Sequence, residues 1–182
     1  MTMTAEQIGV NAVEGTVRMY FNGIDHRKEL QIPGGPWDNE PSKMQWVDKD
    51  TNLPCLIIRG GGGALCGYAG VFPEHRLHGK DYDSAGGQID VHGGLTFASG
   101  CGHGEDESRG VCHVPEPGTT DSVWWFGFDC AHLYDLTPLD TAKMLGLAQY
   151  KSEWKYRDVR YVAAEVASLA AQLRAIEKAA DA

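Results

Sequence analysis

No stretch of the 182-residue chain approaches the ~18 consecutive apolar residues of a membrane-spanning helix. Basic residues are scarce as well: sixteen Lys and Arg stand against twenty-five Asp and Glu, for a formal net charge of −9. No Lys/Arg cluster exceeds two residues. Nonspecific association with nucleic acid or an anionic membrane needs a basic footprint, so neither partner is expected. The opening MTMTAEQIGVNAVEG has no basic segment followed by an apolar run. It does not read as a secretory signal, and a cytoplasmic location is the expectation. Five cysteines (Cys55, Cys66, Cys101, Cys112, Cys130) form an odd set. Without an export signal they predict reduced thiols rather than a disulfide framework. Nucleotide motifs are missing too: there is no GxGxxG after a strand, no P-loop, no GxSxG, no kinase set and no paired CxxC.

Glycine, by contrast, is abundant at 23 of 182 residues, about 13% against a usual ~7%. That excess predicts many turns. The length suits about one domain with a real core. Pro33-Gly34-Gly35-Pro36 is strong loop punctuation and divides an N-terminal extension, residues 1–34, from a single α+β domain, residues 35–182. Within the extension, Thr16 to Phe21 suits a strand or a short helix. Short extended runs follow at 43–48, 53–59, 65–72, 89–92, 95–98 and 122–129, separated by Gly, Pro, Asn or Asp. Gly60 to Gly63 reads as a hairpin loop.

The C-terminal third changes period. Thr137-Pro138-Leu139-Asp140 supplies an N-cap, a proline at the first helical position and an acid in the first turn, predicting a short helix over 138–145 ended by Gly146. Val159, Val162, Val166, Leu169, Leu173 and Ile176 recur at three- and four-residue steps and predict a long amphipathic helix, about 158–178. The fold expected is α+β: a twisted, mainly antiparallel sheet of five or six strands packed by that C-terminal helix. The same stripe has an alternative use as a homodimer seam.

Five of the seven histidines fall in or beside glycine-rich turns, where a strand end can project a side chain into a cleft. In Trp124-Trp125-Phe126-Gly127-Phe128-Asp129-Cys130-Ala131-His132, Asp129 ends a buried strand, where a carboxylate needs a cation, a metal or several donors. Asp129 and His132 share a site only if the chain bends after Phe128; a backbone-bonded turn is the competing reading. His92 precedes Gly93-Gly94, which permit close approach of another group or simply a tight turn. His75 and His78 lie three apart in FPEHRLHGKDYD and meet on one side if 73–79 makes a helical turn. Cys101, His103, Cys112 and His113 bracket a polar loop and suit a tetrahedral zinc site, although adjacent Cys112 and His113 point oppositely on a strand. Cys130 beside Asp129 and His132 suggests either a thiol nucleophile or a small buried residue.

From Gly35 to Leu173 the chain resembles a family of small proteins encoded by bacteriophages and bacterial genomes, for which no activity is established. The residues carrying the resemblance are GPWDNEP (35–41), LPCLIIR, LCGYAGV, DVHGGLTFA, VCHVPEPG (111–118), WWFGFDCAH and YRDVRYVAAEVASLAAQL (156–173). It implies a phage or prophage setting, hence the host cytoplasm, and brings no mechanism. The first 34 residues fall outside it.

The leading functional expectation is a metal-dependent hydrolase of a small metabolite or nucleotide-derived substrate. His92, Asp129 and His132 are the expected ligands of a divalent ion, zinc among the candidates. His75 and His78 serve as further ligands or as general acid/base. Tyr161 and Glu165, four apart on the long helix, suit an outer shell, with an exposed carboxylate as the simpler reading of Glu165. One alternative is a noncatalytic accessory protein that sequesters a small ligand or a host protein through Trp37, Trp46, Trp124 and Trp125. Another is a small structural protein assembling through the C-terminal helix.

Overall fold

The computed structural model describes residues 2–101, 107–115, 118, 121–143 and 153–178. Six strands form one sheet: β1 (Arg18–Tyr20), β2 (Lys43–Val47), β3 (Pro54–Arg59), β4 (Leu65–Val71), β5 (Phe97–Gly100) and β6 (Trp124–Asp129). Their order is β1-β2-β3-β4-β6-β5, and every neighbouring pair is antiparallel. Among the described residues there are also helices α1 (Ala5–Ile8), α2 (Tyr82–Gly86), α3 (Pro138–Lys143) and the long α4 (Val159–Lys178), with a 3-10 turn at Pro36–Asn39. This is the expected α+β architecture. No helix among the described residues is long and apolar enough to cross a membrane.

Side-chain alternation along the strands gives the sheet two apolar faces. On one, Met44, Trp46, Cys55, Ile57, Leu65, Ala69, Phe126 and Phe128 meet the α4 stripe of Val159, Val162, Val166, Leu169 and Leu173, all buried. The stripe read from the sequence is thus covered by the chain's own sheet. Gly67 sits under α4, where an added Cβ would lie 2.6 Å from both Val166 and the Phe128 ring. Asp158 starts the helix by accepting the Tyr161 N–H on its side chain at 2.9 Å.

The opposite face carries Leu56, Ile58, Tyr68 and Trp125, and a loop covers it instead of a helix. Lys43 and Gln45, alternating with Met44 and Trp46, hold that loop. The Lys43 ammonium, with no exposed surface, donates to the carbonyls of Glu107, Gly110 and Cys112 at 2.5, 2.8 and 2.7 Å. Gln45 donates to Val114 O and accepts from Val114 N. A disulfide joins Cys101 to Cys112 and closes the loop, which corrects the expectation of reduced thiols throughout; Cys55, Cys66 and Cys130 are free. Cys101 directly follows β5, and Cys112 lies in the loop segment whose carbonyls Lys43 holds. His103, named with them as a zinc ligand, lies outside the described residues, as do Gly146 and the end of the helix expected over 138–145.

Residues 1–34 contribute the edge strand β1, which pairs with β2, and bury Ile8 against the main core. Glu40, just beyond them, is tied to Arg59 by an ion pair of 2.7 Å whose side chains are only 3% and 2% exposed. Its Oε1 accepts the Val159 N–H at 3.2 Å, and the Tyr156 hydroxyl donates to Oε2, the oxygen that Arg59 holds. This pair locks the start of α4 to β3.

One expected strand is absent. Residues 89–92 run beside α4 and satisfy their backbone on its side chains: Asp90 N–H donates to Gln172 Oε1 at 2.7 Å and His92 N–H to Glu165 Oε2 at 2.9 Å. Replacing Lys43 by Met keeps the side-chain length and removes the charge, leaving three carbonyls without their donor. The expected loss is about 3 kcal/mol of unfolding free energy in urea titrations. A loss below about 1 kcal/mol would contradict the role given to this ammonium.

Candidate functional site

The end of β6 bends at once. Asp129 Oδ1 accepts the Ala131 N–H at 3.0 Å while its Oδ2 accepts the Thr96 hydroxyl at 3.0 Å. That turn carries His132 back to the side of Asp129, so that His132 Nδ1 lies 3.9 Å from Asp129 Oδ1. A second turn follows, closed by Asp135 N–H on His132 O at 3.0 Å. Tyr134 occupies the left-handed region at φ 73°, an uncommon and costly conformation for a bulky residue. Leu133 is left 74% exposed. The consequence is an inward carboxylate: the Asp135 side chain is 1% exposed.

Three donors satisfy that buried anion. Arg157 Nε donates to Oδ1 at 2.8 Å. His92 Nε2 at 2.7 Å and the His132 N–H at 3.1 Å share Oδ2. Burial alone would raise the Asp135 pKa, but Arg157, His92 and the His132 amide outweigh it and hold the carboxyl below its ordinary range. In a His92 ring carrying one proton, Nε2 donates to the carboxylate and Nδ1 is then an acceptor, to which the Tyr161 hydroxyl donates at 3.0 Å. The Arg157 guanidinium also lies over the Tyr161 ring, 4.8 Å from its centroid. Burial raises the Tyr161 pKa, so the hydroxyl stays protonated at neutral pH.

His92 and His132 stack edge to face, with centroids 5.4 Å apart. Gly93 allows it: at φ 67°, an added Cβ would lie 2.1 Å from the His132 ring. His92, His132 and Asp135 present ligand atoms all within 4.8 Å of one another. Beside them a cleft of about 340 Å³ is lined by Asp90, Val91, His92, Tyr161, Glu165 and Ser168.

The structure therefore brings His92, Asp129 and His132 into one neighbourhood, with Asp135 and not Asp129 in direct contact with His92. Tyr161 and Glu165 also belong here, one on the His92 ring and the other on its backbone N–H. His75 and His78 do not join the group. His75 is buried in the core, its Nε2 donating to Leu173 O at 2.9 Å and its Nδ1 accepting the Leu77 N–H, which leaves no nitrogen for a ligand or a proton transfer. His78 Nε2 is bonded to Ser122 O at 2.9 Å, its ring near Trp124. Successive turns over 73–80, rather than one helical turn, send the two rings to different places. Cys130 is buried, and burial raises its thiol pKa well above the ordinary range, so it is a packed thiol rather than a nucleophile. Burial likewise pushes Cys66 up to about 11.

Sequence reasoning missed Asp135 and Arg157. The signal for Asp135 is its spacing of three from His132, matching that of Asp129 on the other side. No family model matches the chain, and neither the curated proteins nor the solved structures contain a match to it.

The depressed Asp135 pKa has a defined sign. Its contribution to stability is complete above the unfolded value of ~3.9 and is lost as the pH falls through the lower folded value. Denaturation of wild type and Asp135→Asn across pH is expected to give a constant stability gap above about pH 4 that narrows below it. A gap unchanged down to about pH 2 would contradict the charged, hydrogen-bonded state of Asp135.

Proposed function

We propose that the protein is a divalent-metal-dependent hydrolase acting on a small metabolite or nucleotide-derived substrate in a phage or prophage setting, with His92, His132 and Asp135 as its ligands. One observation carries the metal. His132 Nδ1 is buried with no hydrogen-bond partner among the described residues, yet it faces Asp135 Oδ2 at 3.7 Å and Asp129 Oδ1 at 3.9 Å. Those separations are too long for hydrogen bonds. They are near the ~3.4 Å edge expected between donors of a tetrahedral ion with ligands at about 2.1 Å.

Two imidazoles and a carboxylate suit zinc and related first-row ions. With a coordination position left open, such an ion acidifies a water and polarises an acyl or phosphoryl oxygen. His92 joins the ligands when its hydrogen bond to Asp135 opens and its one ring proton moves from Nε2 to Nδ1. The Tyr161 hydroxyl oxygen then accepts a hydrogen bond from Nδ1–H instead of donating its own, with the proton staying on the ring and the imidazole held in orientation. Arg157 continues to hold the second Asp135 oxygen. Asp90 and Glu165 in the cleft disfavour a substrate with negative charge far from the reacting group, and favour one whose remaining part is neutral or cationic.

The noncatalytic alternative is less well supported. Trp37, Trp46 and Trp125 are buried, and the Trp124 indole N–H is bonded to Lys80 O, so these rings are poor contact surfaces.

Calorimetric titration of metal-stripped, oxidised protein with Zn²⁺ and Mn²⁺ tests the reading, followed by assay on simple acyl and phosphate esters. One ion per chain is expected, with affinity lowered at least about tenfold in Asp135→Asn and in His132→Ala, and with ester turnover only in the loaded protein. A wild type that binds no ion overturns the proposal. Binding without turnover of any ester keeps the metal site and removes the hydrolase.

A further inference from the structure

On the opposite face of the sheet, two sulfurs and a carboxylate converge, their ligand atoms within 4.8 Å of one another, with an imidazole outside that group, beside the carboxylate. Cys101 Sγ lies 2.9 Å from Asp121 Oδ1, and Cys112 Sγ 3.3 Å from Asp121 Oδ2. His113 Nδ1 lies 3.8 Å from Asp121 Oδ1, its ring 5.4 Å from that of Trp125. The donors come from three anchored places: Cys101 directly after β5, Asp121 shortly before β6, and Cys112-His113 on the covering loop. The last pair is held at both flanks, Cys112 O by Lys43 and Val114 by Gln45. Residues 111–115 form no strand, which is why adjacent Cys112 and His113 reach the same carboxylate.

The disulfide is a poor neighbour for Asp121. Neither of its sulfurs carries a hydrogen, so the carboxylate oxygens face two electron-rich atoms with no donor between them among the described residues. A thiol hydrogen or a cation in that space removes the conflict.

We infer that Cys101, Cys112, His113 and Asp121 form a zinc site in the reduced protein, and that the disulfide and the metal are alternative occupants of one cluster. A dithiol reductant opens the disulfide through a mixed disulfide and leaves as its own cyclic disulfide, delivering two electrons and two protons. Zn²⁺ then displaces those two protons as the thiolates bind, and His113 and Asp121 complete a tetrahedral set of two sulfurs, one nitrogen and one oxygen. Because Lys43, Gln45 and the strand ends fix the donors in either state, the ion takes over the closing of the covering loop. This inference stands independently of the His92 centre.

The test uses the full chain, metal-stripped and divided into an oxidised sample and one reduced with a dithiol that is then removed anaerobically. Each is titrated with Co²⁺, whose sulfur-to-metal charge-transfer band reports thiolate ligation. The reduced protein is expected to develop that band to a plateau of one thiolate-bound ion per chain, over and above any ion taken up at the His92 centre, and the oxidised protein to develop none. Cys101→Ser, Cys112→Ser and Asp121→Asn should each weaken binding at least about tenfold, while Asp135→Asn leaves the band unchanged. Asp121→Asn preserves size and shape and decides the matter if the cysteine variants fail to fold. No band in the reduced wild type overturns the inference. So does a band of undiminished affinity in Asp121→Asn.

Discussion

The burial of one carboxylate organises the end of the molecule that holds His92 and His132. An ionised Asp135 can sit at 1% exposure only if donors surround it, and the donors come from segments far apart in sequence. His92 arrives from the stretch before β5, Arg157 from the entry to α4, and the His132 amide from the turn after β6. Satisfying that charge draws the three segments to one point and sets the tautomer of His92. It also accounts for the positive φ of Tyr134, which turns Asp135 inward while its neighbour Leu133 faces solvent. The backbone cost of such a conformation is about 1–3 kcal/mol and is sustained here by the ion pair with Arg157.

The two faces of the sheet solve the same problem with opposite charges. On the loop-covered face the buried ion is the Lys43 ammonium, and backbone carbonyls satisfy it. On the other, Asp135 is satisfied by side chains and one amide. Each buried charge fixes a loop next to a cluster of ligand-type residues. Both candidate sites thus lie where an irregular segment is pinned by an ion, a common origin for functional positions on a rigid scaffold.

How much of this was legible beforehand follows from periodicity. The α4 stripe repeats at helical spacing and the strands alternate, so helix, sheet and their packing could be read directly. The 89–92 segment misled because its Ile-Asp-Val-His alternation is that of a strand, while its partners, Gln172 and Glu165, lie more than seventy residues away. His75 misled for a related reason: a histidine in a polar, glycine-bounded turn gives no local sign that its ring enters the core and caps the Leu173 carbonyl. Asp135 and Asp121 carry no motif, and their importance comes from what folding places around them. The disulfide escaped composition arguments because two of five cysteines can pair while three stay free, Cys55 and Cys130 buried and Cys66 partly so.

The most direct measurement of the central claim is the protonation pattern of the His92 ring in metal-free protein, read from long-range proton–nitrogen correlations of the imidazole. Where the ring carries one proton, the account predicts that proton on Nε2, with Nδ1 accepting from Tyr161, and loss of this preference in Asp135→Asn. A ring protonated on Nδ1 in the wild type would mean that Asp135 does not hold His92, and would contradict the arrangement on which the site is built.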